Sequence, residues 1–265
     1  MKPLSSRLRD LPAIANLLNH RQGRVTGVLP APLHVPLIAS TLHSEGAPGV
    51  LLVVTPSSRE SDQVRDTLRS LVEESVHVWD FPSWETLPHE RLSPHPETVA
   101  RRLSVLRALH HREPDAAPLV VVASVRSLIQ PVNTELASSP WLSLAKGPYE
   151  GGIEQLASGL VALAYQRVDL VTRRGEFAVR GGIVDVFPAL EDHPVRADFF
   201  CDDIDELTSF SVSDQRSLTS VESVDIPPAR EMLLTDAVRA RAKELTHEYP
   251  GVSGMLEKIS NGVAV

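Results

Sequence analysis

Residues 50–71, VLLVVTPSSRESDQVRDTLRSL, read as one strand running into one helix. The opening VLLVVT is wholly apolar but for its last residue and rich in β-branched side chains, the composition of a short strand buried on both faces. Ser57, with Glu60 three residues later, makes a capping-box pattern, and Val64, Leu68 and Leu71 follow at helical spacing. The same unit recurs downstream. Residues 76–79 are a second strand candidate, and a later helix carries Val99, Leu103, Leu106 and Leu109 on one face. Residues 119–123, LVVVA, form a third apolar strand, with Ser124 placed to cap a short helix after it. Repeated strand–helix–strand units imply a parallel sheet with right-handed crossovers. Residues 1–130 are therefore expected to form one α/β domain.

The pattern changes after that point. Ile153, Leu156, Leu160 and Ala164 mark one amphipathic helix, and from Val168 onward short strands are joined by tight turns. Arg174-Gly175 and Gly181-Gly182 supply turn glycines, and Asp202-Asp203 breaks the next strand pair. One helix with antiparallel strands makes a small α+β domain over residues 131–229, closed by Pro227-Pro228. Thr235 then caps a helix carrying Val238, Ala242, Leu245 and Tyr249. Residues 230–265 are expected to begin a third, partly helical domain that the chain does not complete.

Composition narrows the functional classes. The 265 residues carry a formal charge of −8, whereas affinity for nucleic acid comes from neutralising phosphates; DNA is thus disfavoured as the direct ligand. A single cysteine, Cys201, excludes an internal disulfide and favours the cytoplasm. No apolar run reaches the roughly 18 residues that span a bilayer, so no membrane association is expected.

Residues 27–34, GVLPAPLH, occupy the place of a first strand-to-helix loop, in the eight-residue frame of a phosphate-binding loop. Gly27 holds the first position, but Pro32 stands where the second glycine belongs, Leu33 where the lysine belongs and His34 where the hydroxyl residue belongs. Prolines remove cradling N–H groups, leucine removes the charge for the β/γ-phosphates, and histidine is a poor neighbour for Mg²⁺. An ordinary loop with two prolines is the alternative. Under either reading this segment binds no ATP in the usual manner, and no cofactor is expected for this chain. His77, His89 and His95 lack metal-ligand spacing. The acidic run Asp202, Asp203, Asp205, Glu206 reads as a solvated turn, and Cys201 as a buried or edge thiol with no base nearby. Neither a metal nor a catalytic residue is expected.

The polar face of the second domain is more informative. In EFAVR (176–180), Phe177 and Val179 point one way while Glu176, Ala178 and Arg180 point the other. In VRADFF (195–200), Val195, Ala197 and Phe199 share the core face, and Arg196, Asp198 and Phe200 the outer one. Outward arginines beside an outward aromatic suit a protein–protein hot spot; a solvated face with local Arg–Asp pairs is the alternative. Arg167, Arg173 and Arg174 add positive charge nearby.

Three stretches resemble a known family: WETLPHERLSPHPETVARRLSVLRAL (84–109), RVDLVTRRGEFAVRGGIVDVFPA (167–189) and VRADFFCDDIDELTSFSVSDQRSL (195–218). They are similar to the N-terminal, UvrB-homology region of bacterial transcription-repair coupling factors, and more distantly to the excision-repair protein UvrB. UvrB keeps a working phosphate loop, carries a long aromatic-rich hairpin after the equivalent of Trp84, and has an arginine where this chain has Ala178. Those departures favour the coupling factor.

The resemblance implies a degenerate RecA-like domain over residues 1–130, an inserted UvrA-binding domain over 131–229 and the start of a helical domain over 230–265. It implies a non-catalytic adaptor in transcription-coupled nucleotide excision repair that recruits UvrA. Its ATP, Mg²⁺, DNA and RNA polymerase would be handled by parts of an ATP-driven translocase lying outside this chain. The UvrA-binding set it implies is Arg167, Arg180, Arg196 and Asp198, with Phe199 or Phe200; alternation prefers Phe200. It further implies that a C-terminal domain of the full-length protein shuts this face at rest. The alternative class is a nucleotide-dependent, DNA-binding helicase-like lobe.

Overall fold

The computed structural model describes residues 31–42, 49–87, 90 and 92–263. They form α/β structure with one wholly parallel sheet, one mixed sheet and one two-stranded antiparallel sheet, grouped into two compact units. One unit holds the described residues up to Ser83 with Ala108–Val132; the other holds Trp84–Arg107 and the described residues from Asn133 onward.

In the first unit, strands β1 (Val50–Thr55), β2 (His77–Phe81) and β3 (Leu119–Ser124) make a parallel sheet in the order β1-β3-β2. Central β3 is buried along its whole length. Helices α1 (Ala31–Leu42) and α2 (Ser58–Leu71) pack together, and Ala39, Leu42 and Leu68 meet Val78, Val120 and Val122 in one core. The Ser57 hydroxyl caps α2 by accepting from the Glu60 N–H at 3.3 Å, and it donates to the Glu60 carboxylate at 3.2 Å. Expected burial of β1 on both faces is corrected: Leu51 and Val53 meet the core, whereas Val50, Leu52 and Val54 are exposed. Among the described residues β1 pairs on one side only.

The second unit is built on a six-strand path, β11-β10-β9-β8-β7-β6. In chain order β4 (Leu142–Ala145) and β5 (Gly147–Pro148) come first, β5 pairing β10 off this path and β4 pairing β12 (Ser223–Ile226) in a separate antiparallel sheet; the strands of the path are β6 (Gln166–Arg167), β7 (Glu176–Arg180), β8 (Ile183–Val186), β9 (Val195–Phe200), β10 (Asp203–Phe210) and β11 (Ser217–Ser220). Alternate residues Phe177, Val184, Val186, Val195, Ala197 and Leu207 face a core closed by Leu156 and Leu160 of a helix over Gly152–Ala162. A register shift between Ile204 and Glu206 lets Ile204 join the same core three residues from Leu207. The buried Tyr165 hydroxyl donates to the Pro227 carbonyl at 3.1 Å and accepts from the Ala189 N–H at 3.2 Å.

Several expected boundaries shift. The helix over Pro96–His110 buries Val99 and Leu103 against Leu136 and Trp141, which groups residues 84–107 with the second unit rather than with 1–130. Arg102 is buried on that helix, while Leu109 is exposed. Residues 236–260 pair two helices, Asp236–Glu248 and Ser253–Ser260, through Ala242, Leu256 and Ile259. Thr235 caps the first of them as expected, and Tyr249 lies exposed beyond its end.

Ala164 is not part of its expected helix. It sits after Leu163 with φ 64°, and its N–H and that of Tyr165 bond back to Val161 and Leu160. This left-handed helix stop is a position where glycine carries no steric penalty. Ala164→Gly is expected to stabilise the protein by about 1 kcal/mol, read as a higher urea midpoint at unchanged slope.

Candidate docking site on the outer sheet face

Strands β7, β8 and β9 lie side by side, and their register sets two rows of residues across one face. Ala178, Asp185 and Arg196 form one row; Arg180, Ile183 and Asp198 form the next. The turn at Gly181-Gly182 joins β7 to β8. Gly181 takes φ 59°, which the tight turn requires, and a Cβ on Gly182 would lie 3.0 Å from the Phe199 carbonyl oxygen, so Gly182 lets this hairpin lie close to β9.

The centre of the face is a residue the sequence reading passed over. Asp185 is 1% exposed and holds both arginines. Its Oδ1 accepts from Arg196 Nε at 2.7 Å, and its Oδ2 accepts from Arg196 Nη2 at 3.0 Å and Arg180 Nη2 at 2.5 Å. The bidentate fork and the second arginine together satisfy a carboxylate that could not be buried alone. Arg196 also lies over the Phe210 ring, 4.7 Å from its centroid. The hydrogen bond to Asp185 raises the Arg196 pKa, against the effect of partial burial. The signal for Asp185 was available: in IVDV (183–186) it falls on the polar parity between two core valines.

Around this cluster the outer face is partly covered rather than open. Ala178 is buried, and it packs with Val171, Phe187 and Phe210, bordered by Val168 and Val212. Sequence alternation placed Ala178 on the polar side correctly, but the loops after β6 and β10 fold over it and make a small second core. Arg174 extends over Phe187 and donates to the Glu191 carbonyl.

The implied docking residues distribute unevenly. Arg180 keeps 49% of its side chain exposed, whereas Arg196 keeps 17%. Asp198 is half-buried, and its carboxylate forms no hydrogen bond or ion pair within 4 Å among the described residues. Desolvation raises its pKa, reinforced by Glu206, Asp185 and Asp205 and opposed by Arg196. Phe200 is 76% exposed at the end of β9. Phe199 instead packs on the core, edge-on to Tyr149 at 6.1 Å. Arg167 is exposed on the edge strand β6, in register with core-facing Phe177, so it does not share a face with Arg180. The turn after β9 is Cys201-Asp202, with Cys201 exposed at φ 57° and Asp203 already paired to Phe200; this corrects both the expected Asp-Asp turn and the buried or edge thiol.

Elsewhere, Pro32, Leu33 and His34 fall in the first turn of α1, and Gly27 lies outside the described residues, as does His89. Among the described residues, no group of three or more His, Cys, Asp or Glu is placed to hold a metal ion. In the same set no helix is long and apolar enough to cross a membrane.

Comparison with known proteins shows what this chain is similar to. Residues 142–232 match the UvrB interaction domain, a span that contains all of β6 to β11. The chain is 43% identical, over 96% of its length, to a transcription-repair-coupling factor of Mycobacterium bovis. The corresponding proteins of Bacillus subtilis and Escherichia coli are 34% and 31% identical over 79% and 78% of the chain. This chain is homologous to part of the transcription-repair-coupling factors. It spans about a fifth (21%) of the Mycobacterium bovis relative. Those relatives are named for coupling transcription to repair. In this coupling-factor homologue Arg167, Arg180, Asp185, Arg196, Asp198, Phe199 and Phe200 all lie inside the matched domain; residues 27–34 lie outside it.

Proposed function

We propose that this chain is the UvrA-docking part of a transcription-repair coupling factor and performs no chemistry itself. The observation that carries the reading is the outer face of β7–β9. There Arg180 projects from a buried carboxylate beside an unbonded Asp198, and Phe200 stands exposed at the strand end. A cation held in place, a free acceptor and an outward aromatic are what a specific polar interface needs. Asp198 supports it further, because a partly desolvated carboxylate among like charges gains most when a partner brings a cation.

The first unit, which takes in residues 1–130 without the 84–107 segment, is read as a degenerate RecA-like domain. Leu33 in the lysine position and the net charge of −8 favour this over a nucleotide-dependent, DNA-binding lobe. ATP, Mg²⁺, DNA and RNA polymerase then belong to other parts of a cytoplasmic translocase. In the full-length protein a C-terminal domain is proposed to cover the face at rest.

Calorimetry with UvrA tests the adaptor role. Arg180→Ala is the informative variant, because Arg196 alone still satisfies both oxygens of Asp185 and the fold is kept. Losing one charge-assisted hydrogen bond of about 1.5–3 kcal/mol should weaken UvrA binding roughly 10- to 100-fold. A folded parent that binds no UvrA would overturn the reading. Full-length protein at rest is expected to bind UvrA more weakly than this chain does, and equal affinity would remove the covering domain from the account.

A further inference from the structure

Residues 211–216 join β10 to β11 and belong to the cover over the polar side of β7–β9, where Val212 borders the cluster of Phe210 and Ala178. Gln215 holds this loop from two sides. Its side-chain Nε2 donates to the Val212 carbonyl at 3.0 Å, inside the loop, and to the Val171 carbonyl at 3.4 Å, in the loop after β6. Its backbone N–H donates to the Ser211 carbonyl at 2.8 Å. Its own carbonyl accepts from Arg196 Nη1 at 3.4 Å. One residue thereby connects both covering loops to the guanidinium that sits on Asp185 and over Phe210.

Gln215 adopts a conformation that glutamine ordinarily avoids. It takes φ 61°, and its Oε1 is buried with no donor among the described residues. Both features cost free energy rather than supply it. Such costs persist where the surroundings over-determine them, and they collect at functional sites. Ala164 has nearly the same φ, 64°, but a methyl group that fastens nothing. At Gln215 the side chain makes bonds that glycine could not replace.

We propose that Gln215 is a positioning residue of the docking face, fixing Arg196 for the partner. The inference rests on the UvrA-docking reading and adds to it a residue outside the strands. Asp185 takes Nε and Nη2 of Arg196, one edge of the planar fork, and Phe210 supports one face. Those contacts leave the guanidinium free to swing about the shared edge, and the Gln215 carbonyl holds the opposite corner, Nη1. A 3.4 Å hydrogen bond is weak alone. Its effect depends on the carbonyl staying in place, which the Nε2 bonds to Val171 and Val212 secure. An arginine ordered before binding spares the complex the cost of ordering it, and keeps Asp185 in place for Arg180.

The test compares the chain with Gln215→Gly, which retains the carbonyl and the left-handed backbone and removes only the side chain. Its melting temperature is expected to stay close to the parent's, because relief at φ 61° offsets the lost hydrogen bonds. The Arg196 Nε–H resonance, assigned by its loss in Arg196→Lys, is expected to shift and to exchange faster with water. UvrA binding, read by calorimetry, should weaken roughly three- to tenfold. Gln215→Asn keeps a shorter amide that tolerates this backbone, and should fall between the two. In an Arg196→Lys background Gln215→Gly should cost nothing further, since residues acting through one contact are not additive. An unchanged Arg196 resonance would overturn the proposal even if binding fell, because the loss would then arise elsewhere in the loop. A shifted resonance with unchanged UvrA affinity would overturn it equally, leaving a purely structural tether. Failure of the parent chain to bind UvrA is a separate result: it removes the docking reading, and this role with it, before any variant is compared.

Discussion

Asp185→Ala is expected to destabilise the second unit by about 3–5 kcal/mol, the usual loss when one partner of a buried ion pair is removed. The carboxylate is 1% exposed and anchors strands β7 and β9 through three hydrogen bonds. Its removal leaves Arg196, 17% exposed and stacked on Phe210, without its ion-pair partner, with only the Gln215 carbonyl and the more distant Asp198 charge to act on it, and opens a gap beside buried Ala178. Arg180 is half-exposed and can turn to water, which places the loss nearer the lower figure. Urea unfolding followed by far-ultraviolet circular dichroism measures it; a loss under about 1 kcal/mol would mean that the cluster is not tightly coupled. The informative counterpart replaces the whole cluster with apolar residues: Arg180→Met, Asp185→Leu and Arg196→Met together. Buried ionic clusters replaced in this way are often neutral or stabilised. A triple variant that is stable yet fails to bind UvrA would place the charges in the service of recognition; one that is stable and still binds would sink the docking assignment.

The second large effect is expected at Glu231. Its Oε1 accepts from Arg102 Nε at 2.5 Å and from the Trp84 indole N–H at 3.0 Å, and Arg102 lies over the Trp84 ring at 5.3 Å. Arg102 is 1% exposed, a full charge inside a helix-packed layer. Glu231→Ala removes its anion and releases the tryptophan, at an expected cost of about 3 kcal/mol; other interactions of Arg102 and Trp84 keep it from being larger. Glu231→Gln keeps an acceptor and should lose less. Because the chain has two compact units, hydrogen exchange along residues 96–107 is a better readout than a single melting temperature. Unchanged protection there in Glu231→Ala would refute the coupling.

The outcome of the sequence reading follows the range of the interactions involved. Strand and helix positions came from periods of 2 and 3.6 residues, so β1 to β3, the caps at Ser57, Ser124 and Thr235, and the inward–outward order of β7 and β9 were legible. Phe200 was separated from Phe199 by parity alone, and the structure shows one exposed and the other packed on the core.

What parity could not supply was pairing. The partnership of Asp185 with Arg180 and Arg196 depends on which strands are neighbours and in what register, a consequence of long-range packing that no local period encodes. The same holds for Arg102 with Glu231, 129 residues apart, and for the grouping of residues 84–107 with the second unit. Ala178 makes the contrast sharpest. Its side of the strand was determined by the sequence alone, but its burial was decided by loops that close over that side, because solvent access depends on every segment that can reach a surface.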